Sequence, residues 1–490
     1  MRRSVLVPVG LALALVLAAC GSNLDPAALE GTGTTSSGQQ VVSAGGTPVE
    51  AAPGAPGGVT GADPVTGSGA LPEGSAGEPA NGAPAPAAGD GAEPPAGQPA
   101  PEENEPAGDV EAADCAGFQN GPGMTDDTIT IGNAADVSGP VPGLFESSQI
   151  AAKAYVNYFN STGQTICGRK LEMVTYDSRT DASADQQAYA AACEKTFAMV
   201  GAMGAFDSGG AATAQKCGLP DIRAIVTTAT RSACTTCYAA QPAGSTEFQN
   251  AVPDFIKRNT SSKGQKAAML YLSAGAASEN GQSQAKFGTK RGLKYVYVGA
   301  IDTAEFNYVP FVQALKDKGV ESVQFVGANP MFVRLVQTMD QQNYEPEVLL
   351  LDPTAYSKEF TDAGGEAAIG TFSFLNFTPF EEAASNAEVN LYLSYIQQVK
   401  PGTEPDFFGL FAWSAARLFV EQATKLGGEL TRESLVASMR SVKNWTANDL
   451  HAPMRVGEKR IADCWRFVQW TGSVWKPIEG RDYQCNGTTS

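Results

Sequence analysis

The stretch from Thr128 to Thr227 decides the fold. It opens with Thr128-Ile129-Thr130-Ile131-Gly132, which predicts a buried strand, and continues into 147–160, where apolar residues recur with helical spacing. The alternation of strand and helix then repeats, with strands predicted at 170–176, 197–203 and 224–227 and helices at 183–195 and 210–216. Because strand and helix keep alternating, the stretch predicts a parallel sheet with helices on both faces.

A second series of the same kind follows a helix predicted at 247–259. Its strands are predicted at 266–272, 294–299, 322–327 and 347–351, and its helices at 278–292, 308–318 and 330–341. Two further helices, at 388–399 and 408–426, precede a carboxyl-terminal hairpin that turns at 470–473. A body of about 375 residues is too long for one core. The predicted fold class is therefore α/β with two doubly wound lobes.

The amino end predicts export. Arg2 and Arg3 precede an apolar run that ends just before Cys20, which is the layout of a secretory signal at 1–19, and the run is too short to span a bilayer. Residues 20–114 are rich in Gly, Ala and Pro and contain no aromatic residue, which predicts a disordered tether. The tether carries 14 acidic residues and no Lys or Arg, so most of the net charge of −18 belongs to it. The remaining body is weakly acidic and offers no basic patch to nucleic acid.

Eight cysteines follow Cys20, and an even number in an exported chain predicts disulfides. Their positions relative to the predicted elements favour four pairs: Cys193 with Cys217, Cys464 with Cys485, Cys115 with Cys167, and Cys234 with Cys237. The alternative for Cys234 and Cys237 is a redox-active pair. We favour the structural disulfide because redox-active pairs of the thioredoxin type open a helix, whereas this pair lies in a Thr/Ala/Pro loop.

Catalytic residues are scarce. His451 is the single histidine, which argues against a Ser-His-Asp triad and against a zinc site built from several histidines. Its neighbours, Asn448 to Pro453, predict an exposed loop. No spacing singles out a catalytic pair of carboxylates. The sequence therefore predicts a protein that is not an enzyme and that has no metal and no cofactor.

Several short pieces, taken in order, resemble the type I periplasmic binding proteins. These are receptors of ABC transporters and include the branched-chain amino-acid binding proteins. The pieces are 131–132 leading to Ser138-Gly139-Pro140, then 154–160, 167–177 and 311–320. In addition, Leu17-Ala18-Ala19-Cys20 resembles the bacterial lipobox, in which the cysteine is acylated and becomes the first residue of the mature protein.

The resemblance implies how the body is divided and what it does. One lobe is expected at 115–247 plus 372–452 and the other at 248–371 plus 453–490, joined by a three-strand hinge. The protein is expected to be a monomer, lipid-anchored to the outer face of the cell membrane. It would bind a small solute by hinge closure and deliver it to the permease subunits of an ABC importer. The alternative is a ligand-binding sensor coupled to a signalling partner.

The expected site lies beyond the carboxyl ends of the strands, where helix amino ends offer N–H groups to a ligand carboxylate. By resemblance, Ser208, Gly209, Thr228 and Thr230 would hold that carboxylate, although the two threonines could instead cap a turn. Asp352 could meet an ammonium group, but its position is shifted from the usual one, so the solute is open among amino acids, amides and organic acids. The full predicted set is Leu144, Phe145, Ser208, Gly209, Thr228, Ala229, Thr230, Ser278, Asn329, Asp352 and Tyr356.

Overall fold

The computed structural model describes residues 113–243 and 246–490, all of which belong to one compact unit, Gly97–Ser490. The predicted signal peptide, Cys20 and the tether apart from its last two residues lie outside the described residues. Within the described part of the chain, no helix is long and apolar enough to cross a membrane. In that same part, no three His, Cys, Asp or Glu side chains are grouped so that they could hold a metal ion.

The first lobe is built on a five-stranded parallel sheet. Its strands are β1 (Thr128–Ala135), β2 (Lys170–Asp177), β3 (Ala198–Val200), β4 (Asp221–Val226) and β5 (Cys237–Pro242), and they lie in the order β2-β1-β3-β4-β5. Its helices are α1 (Glu146–Ser161), α2 (Ala182–Lys195), α3 (Ala211–Cys217), α4 (Ala229–Ala233) and, from later in the chain, α10 (Ala387–Val399), α11 (Phe407–Leu426) and α12 (Arg432–Met439).

Helices cover both faces of this sheet, as the alternation predicted. Ile131 and Val200 pack with residues of α1 and α11, whereas Ala134 and Met199 pack with residues of α2 and α3. Because neither face meets water, the central strands β3 and β4 are buried at every residue.

The second lobe contains a larger sheet. Its strands are β7 (Ala267–Leu272), β8 (Tyr295–Ile301), β9 (Ser322–Val326), β10 (Val348–Leu351), β11 (Phe372–Leu375), β12 (Cys464–Trp470) and β13 (Trp475–Ile478), in the order β13-β12-β11-β10-β9-β7-β8. Short β14 (Gln484–Cys485) pairs with β12, and β15 (Thr488–Thr489) pairs with β6 (Phe248–Gln249). The helices are α5 (Ala251–Asn259), α6 (Gly275–Lys290), α7 (Val309–Asp317), α8 (Asn329–Gln341) and α9 (Lys358–Gly364).

Strand β11 corrects one predicted boundary. The sequence predicts that the first lobe resumes at residue 372. In the structure, β11 pairs in parallel with β10 and antiparallel with β12, inside the second sheet. Its phenylalanines explain the placement, because Phe372 packs edge-on to Phe255 at 5.4 Å and Phe374 joins the same core cluster. The chain therefore leaves the second sheet only after Leu375.

Three crossings join the lobes: one between β5 and β6, one after β11, and one between α12 and β12. The second and third crossings pair with each other through a bridge between Phe377 and His451. The first and third are tied by the buried carboxylate of Glu247, which accepts from Arg460 Nη2 at 2.7 Å and from the Ile461 N–H at 3.2 Å. These contacts make the three crossings one hinge.

The prediction that His451 lies on the surface is wrong. Its ring is buried between lobe-one helix α11 and the hinge, 5.1 Å from the Phe411 ring, and its Nε2 lies 2.8 Å from Ser414 Oγ. Burial lowers the pKa of His451 to about 4, so the ring is neutral at ordinary pH. It serves the packing of the hinge.

The structure forms the four disulfides that the cysteine positions favoured: Cys115–Cys167, Cys193–Cys217, Cys234–Cys237 and Cys464–Cys485. Cys234 and Cys237 are both buried, with Cys237 opening β5 and Cys234 ending α4. A buried disulfide is inaccessible to thiol exchange partners, so the structural interpretation fits this pair better than a redox-active one.

Candidate functional site

A cavity of about 130 Å³ lies between the two lobes. Its walls come from the carboxyl ends of strands in both sheets, which is where the parallel topology predicted a site. On the first lobe they include Met203, Ala205, Ile225, Thr227 and Gln241; on the second, Leu272, Ala276, Ala277, Val326, Gly327, Ala328, Asp352 and Thr354. The volume is close to the roughly 150 Å³ of a cavity that holds benzene.

Aromatic residues make up half of the remaining lining residues. Phe145, in the loop that leads to α1, packs edge-on to Phe408 at 4.6 Å, and Phe374 lies 5.4 Å from Trp465 on the other side. Phe407 and Phe408 are held there by Asp406, which caps α11 by accepting from the Gly409 N–H at 2.7 Å. A wall of this kind favours an apolar solute body, because burying apolar surface drives binding.

Few polar groups face the cavity. Gln241 on β5 is only 2% exposed, and its Oε1 has no hydrogen-bond partner among the described residues. On the second lobe, amides form a chain in which Gln324 donates to Gln284 at 3.3 Å and Gln284 donates to Asn280 at 3.2 Å. Gln284 and Asn280 both line the cavity. No Lys or Arg lines it among the described residues.

Asp352 lines the cavity, but both of its oxygens are already used. Oδ2 accepts from the Gly327 N–H at 3.0 Å and Oδ1 from the Thr354 N–H at 2.8 Å. Burial raises the pKa of Asp352 to about 6, even though these hydrogen bonds act in the opposite direction. Asp352 therefore shapes the loop between β10 and α9, and it is a weak counter-ion for a ligand ammonium.

The predicted carboxylate-binding group on the first lobe is engaged by the protein itself. Thr228 caps α4, accepting from the Arg231 N–H at 3.2 Å and donating to Asp207. The Ala229 N–H donates to Glu279 Oε2, across from the second lobe, at 3.0 Å. Thr230 is exposed, and none of Thr228, Ala229 and Thr230 lines the cavity.

Ser208 and Gly209 also lie away from the cavity. The loop that contains them packs on the start of α2, where a Cβ on Gly209 would meet Ala182 O at 2.1 Å. Beneath the loop, the buried Arg231 donates to Asp207 O at 2.6 Å and forms ion pairs with Asp185 at 2.8 Å and Asp221 at 2.9 Å. The loop is thus a rigid support for the cavity wall.

The remaining predicted residues divide between wall and surroundings. Leu144 and Phe145 line the cavity. Asn329 lies in an adjoining pocket, where it donates to Glu359 at 2.9 Å, and Ser278 accepts from Gln282 on the exposed side of α6. Tyr356 is buried beside the second crossing, where its hydroxyl contacts Glu381 and accepts from the Phe380 N–H at 2.8 Å.

The sequence prediction missed Gln241, Glu279, Phe408 and Trp465. Gln241 lies on β5, a strand that the Thr/Ala/Pro-rich sequence around it concealed. Phe408 is part of a predicted helix, where its apolar spacing does not distinguish a ring that lines a cavity from one in the core. Glu279 carries no local signal, because its partner lies 50 residues away.

A protein of two α/β lobes with a cavity between their facing strand ends is a ligand-binding protein of the cleft type. Residues 128–474 match the model of the family described as periplasmic binding protein, and the chain belongs to this family. Its members are non-enzymatic solute-binding proteins of ABC transporters, which confirms the predicted fold class and the prediction that this is not an enzyme. The family implies an extracytoplasmic location.

Solved structures show the same fold. A fatty acid ABC transporter substrate-binding protein from Thermomonospora curvata is 19% identical, with a TM-score of 0.62 over 74% of this chain and 96% of that one. A solute-binding protein from R. palustris in complex with 4-hydroxybenzoate is 16% identical, with a TM-score of 0.60 over 74% and 98%. A leucine-binding protein from Thermotoga maritima is 15% identical, with a TM-score of 0.60 over 72% and 98%. Among curated proteins, no sequence matches the chain.

Proposed function

We propose that this chain is the solute-binding component of an ABC importer and that it takes a small organic acid, or a related solute, with an apolar body. The single observation that carries the proposal is the interlobe cavity, which is walled by aromatic rings and has few polar groups. Its composition fits a fatty or aromatic acid better than a free amino acid, because Asp352, the acidic side chain that lines it, already serves two backbone N–H groups. Relatives of this fold include a fatty acid ABC transporter substrate-binding protein, a solute-binding protein in complex with 4-hydroxybenzoate and a leucine-binding protein, so the choice among these solutes rests on the cavity.

The proposed mechanism is hinge closure. A solute that touches Phe145 and Phe408 on one side and Phe374 and Trp465 on the other binds the closed form better than the open form. It therefore shifts the population towards closure, and a permease can recognise the closed arrangement. The hinge built around Glu247 keeps the crossings together while the lobes move.

We also propose that residues 1–19 are removed, that Cys20 carries lipid and that 20–114 act as a tether. Support comes from the sequence pattern, together with a family that works outside the cytoplasm. A tether of this length keeps the receptor close to a membrane permease, which raises the effective concentration of one for the other. The protein would act there as a monomer.

The proposal is tested by thermal unfolding of the full chain with separate additions of benzoate, octanoate, isoleucine and butyramide, and with glucose as a control. A solute present at 100 times its dissociation constant stabilises the protein by about 2.7 kcal/mol, which raises the melting temperature by a few degrees. We expect benzoate or octanoate to do so. Unchanged melting with all four solutes would rule out the proposed function.

A further inference from the structure

At one edge of the cleft, a carboxylate of the protein occupies the position where the first lobe could have bound the carboxylate of a solute. Glu279, in the second turn of α6, reaches across and accepts from the Ala229 N–H at 3.0 Å. Beside it, the Ala276 N–H donates to Ala205 O at 2.8 Å, so this edge of the cleft is closed by two hydrogen bonds. The second lobe therefore already supplies an anion to this position of the first lobe.

What the first lobe offers to the cavity instead is an acceptor. Gln241 is 2% exposed, lines the cavity and has an Oε1 without a partner among the described residues. A buried acceptor that is left without a donor is costly, and a ligand that supplies the donor recovers this cost. The position thus favours a solute with a hydroxyl or N–H group facing β5.

The second lobe offers donors. Two helices of 16 and 13 residues, α6 and α8, begin at the cavity, and Ala276, Ala277, Gly327 and Ala328 form its wall there. Neither start is capped by a side chain, because both N-cap residues are alanines. The Ala276 N–H already donates to Ala205 O and the Gly327 N–H to Asp352, and Pro330 in the first turn of α8 has no N–H. What favours an anionic or acceptor group at the cavity is therefore the positive ends of the two helix dipoles. Asn280 adds to them, since its Oδ1 is occupied by Gln284 and its NH₂ is the group left for a ligand.

From these observations we infer that the cleft binds a hydroxyaromatic acid, with the hydroxyl donating to Gln241 Oε1 and the carboxylate facing the start of α6 and the Asn280 amide. The aromatic rings of the wall hold the ring between the two ends. The inference rests on the proposed function and specifies its solute class and orientation. Gln241 is then the residue that discriminates a hydroxylated ring from a bare one.

The test is calorimetric titration of the full chain with two probes, 4-hydroxybenzoate and benzoate, which differ by the hydroxyl alone. We expect the unaltered chain to bind 4-hydroxybenzoate about tenfold more tightly, the value of one buried hydrogen bond. In Gln241→Met, which keeps the length of the side chain and removes the acceptor, the preference should fall below about threefold. Gln265→Met, an exposed glutamine outside the cavity, is the matched control and should keep the preference.

The results distinguish failure of the hydroxyaromatic inference from failure of the proposed function. Equal affinity for both probes in the unaltered chain, or an unchanged preference in Gln241→Met, would overturn the hydroxyaromatic inference while solute binding stands. Binding of octanoate or isoleucine, but of neither 4-hydroxybenzoate nor benzoate, would also overturn the hydroxyaromatic inference. If none of these solutes binds, the proposed function itself fails. The comparison of probes on the unaltered chain holds even if the Met variant does not fold.

Discussion

Gly275 is the residue on which the contact between the lobes depends most closely. It opens α6 with a φ of +61°, and an added Cβ would lie 2.5 Å from Ala205 O. That oxygen accepts from the Ala276 N–H, and the Ala205 peptide is fixed from behind because its own N–H donates to Asp136 at 2.8 Å. In Gly275→Ala, the methyl group and the carbonyl oxygen cannot both stay in place, so the hydrogen bond between the lobes is broken.

Gly319 provides the matched control. Its φ is +57°, almost the same, and an added Cβ would meet nothing within 4 Å. Both alanine variants should lose about 1–2 kcal/mol through left-handed backbone strain. Only Gly275→Ala also loses the hydrogen bond to Ala205, worth about 0.5–1.5 kcal/mol, so the open form should gain about 2- to 10-fold in population.

Amide hydrogen exchange of the full chain, followed by mass spectrometry, measures this difference. Peptides that cover 203–210 and 274–280 should exchange about 2- to 10-fold faster in Gly275→Ala than in Gly319→Ala. Equal exchange in the two variants would refute the reasoning that a direct backbone contact holds the lobes together at this edge.

Three further predictions concern stability, measured by urea unfolding. The unaltered chain should lose stability as the pH falls from 6.5 towards 4, because the pKa of His451 is about 4 in the folded protein and 6.5 in the unfolded chain, so only the unfolded chain binds the extra proton in this range. In His451→Asn this loss of stability should be smaller than in the unaltered chain. Glu247→Gln should lower the free energy of unfolding at pH 7, and its difference from the unaltered chain should narrow below pH 4.5. Burial raises the pKa of Glu247, but hydrogen bonds from Arg460 and Thr488 bring the pKa below its ordinary 4.5. The stabilisation from Glu247 is therefore lost as the pH falls through this lowered pKa. Replacing Cys193 and Cys217 together by serine should remove about 3 kcal/mol, since that disulfide closes a loop of 24 residues. An unchanged urea midpoint at pH 7, in Glu247→Gln or in the double serine variant, would contradict the prediction for that variant. For His451→Asn, the contradicting result is a dependence of stability on pH that equals that of the unaltered chain.

Features encoded in short runs of sequence were predictable. The buried strand at Thr128–Ala135 and the helix at Glu146–Ser161 have apolar residues with clear spacing, and the structure places both where the pattern did. The disulfide pairs followed from the positions of the cysteines relative to these elements. The location of the cavity at strand carboxyl ends followed from parallel topology alone.

Features set by contacts between distant parts of the chain were not predictable. His451 looks like a loop residue, and it becomes buried only because Phe411 and Ser414 of α11 pack against it. Thr228 and Ala229 have the sequence of a ligand-binding helix start, yet Glu279 from the other lobe engages one of them. Strand β11 is short, and the phenylalanines that assign it to the second sheet meet their partners only in the folded protein.

The most direct test of the central claim is a calorimetric titration of the full chain, with and without a charge in the wall of the cavity. We expect 4-hydroxybenzoate or octanoate to bind with a stoichiometry near one. We also expect Phe408→Asp to weaken this binding at least tenfold, whereas Val298→Asp, at a position 49% exposed outside the cavity, should leave it unchanged. Absence of binding to the unaltered chain, or equal affinity in Phe408→Asp, would contradict the claim that a small apolar solute binds between the lobes.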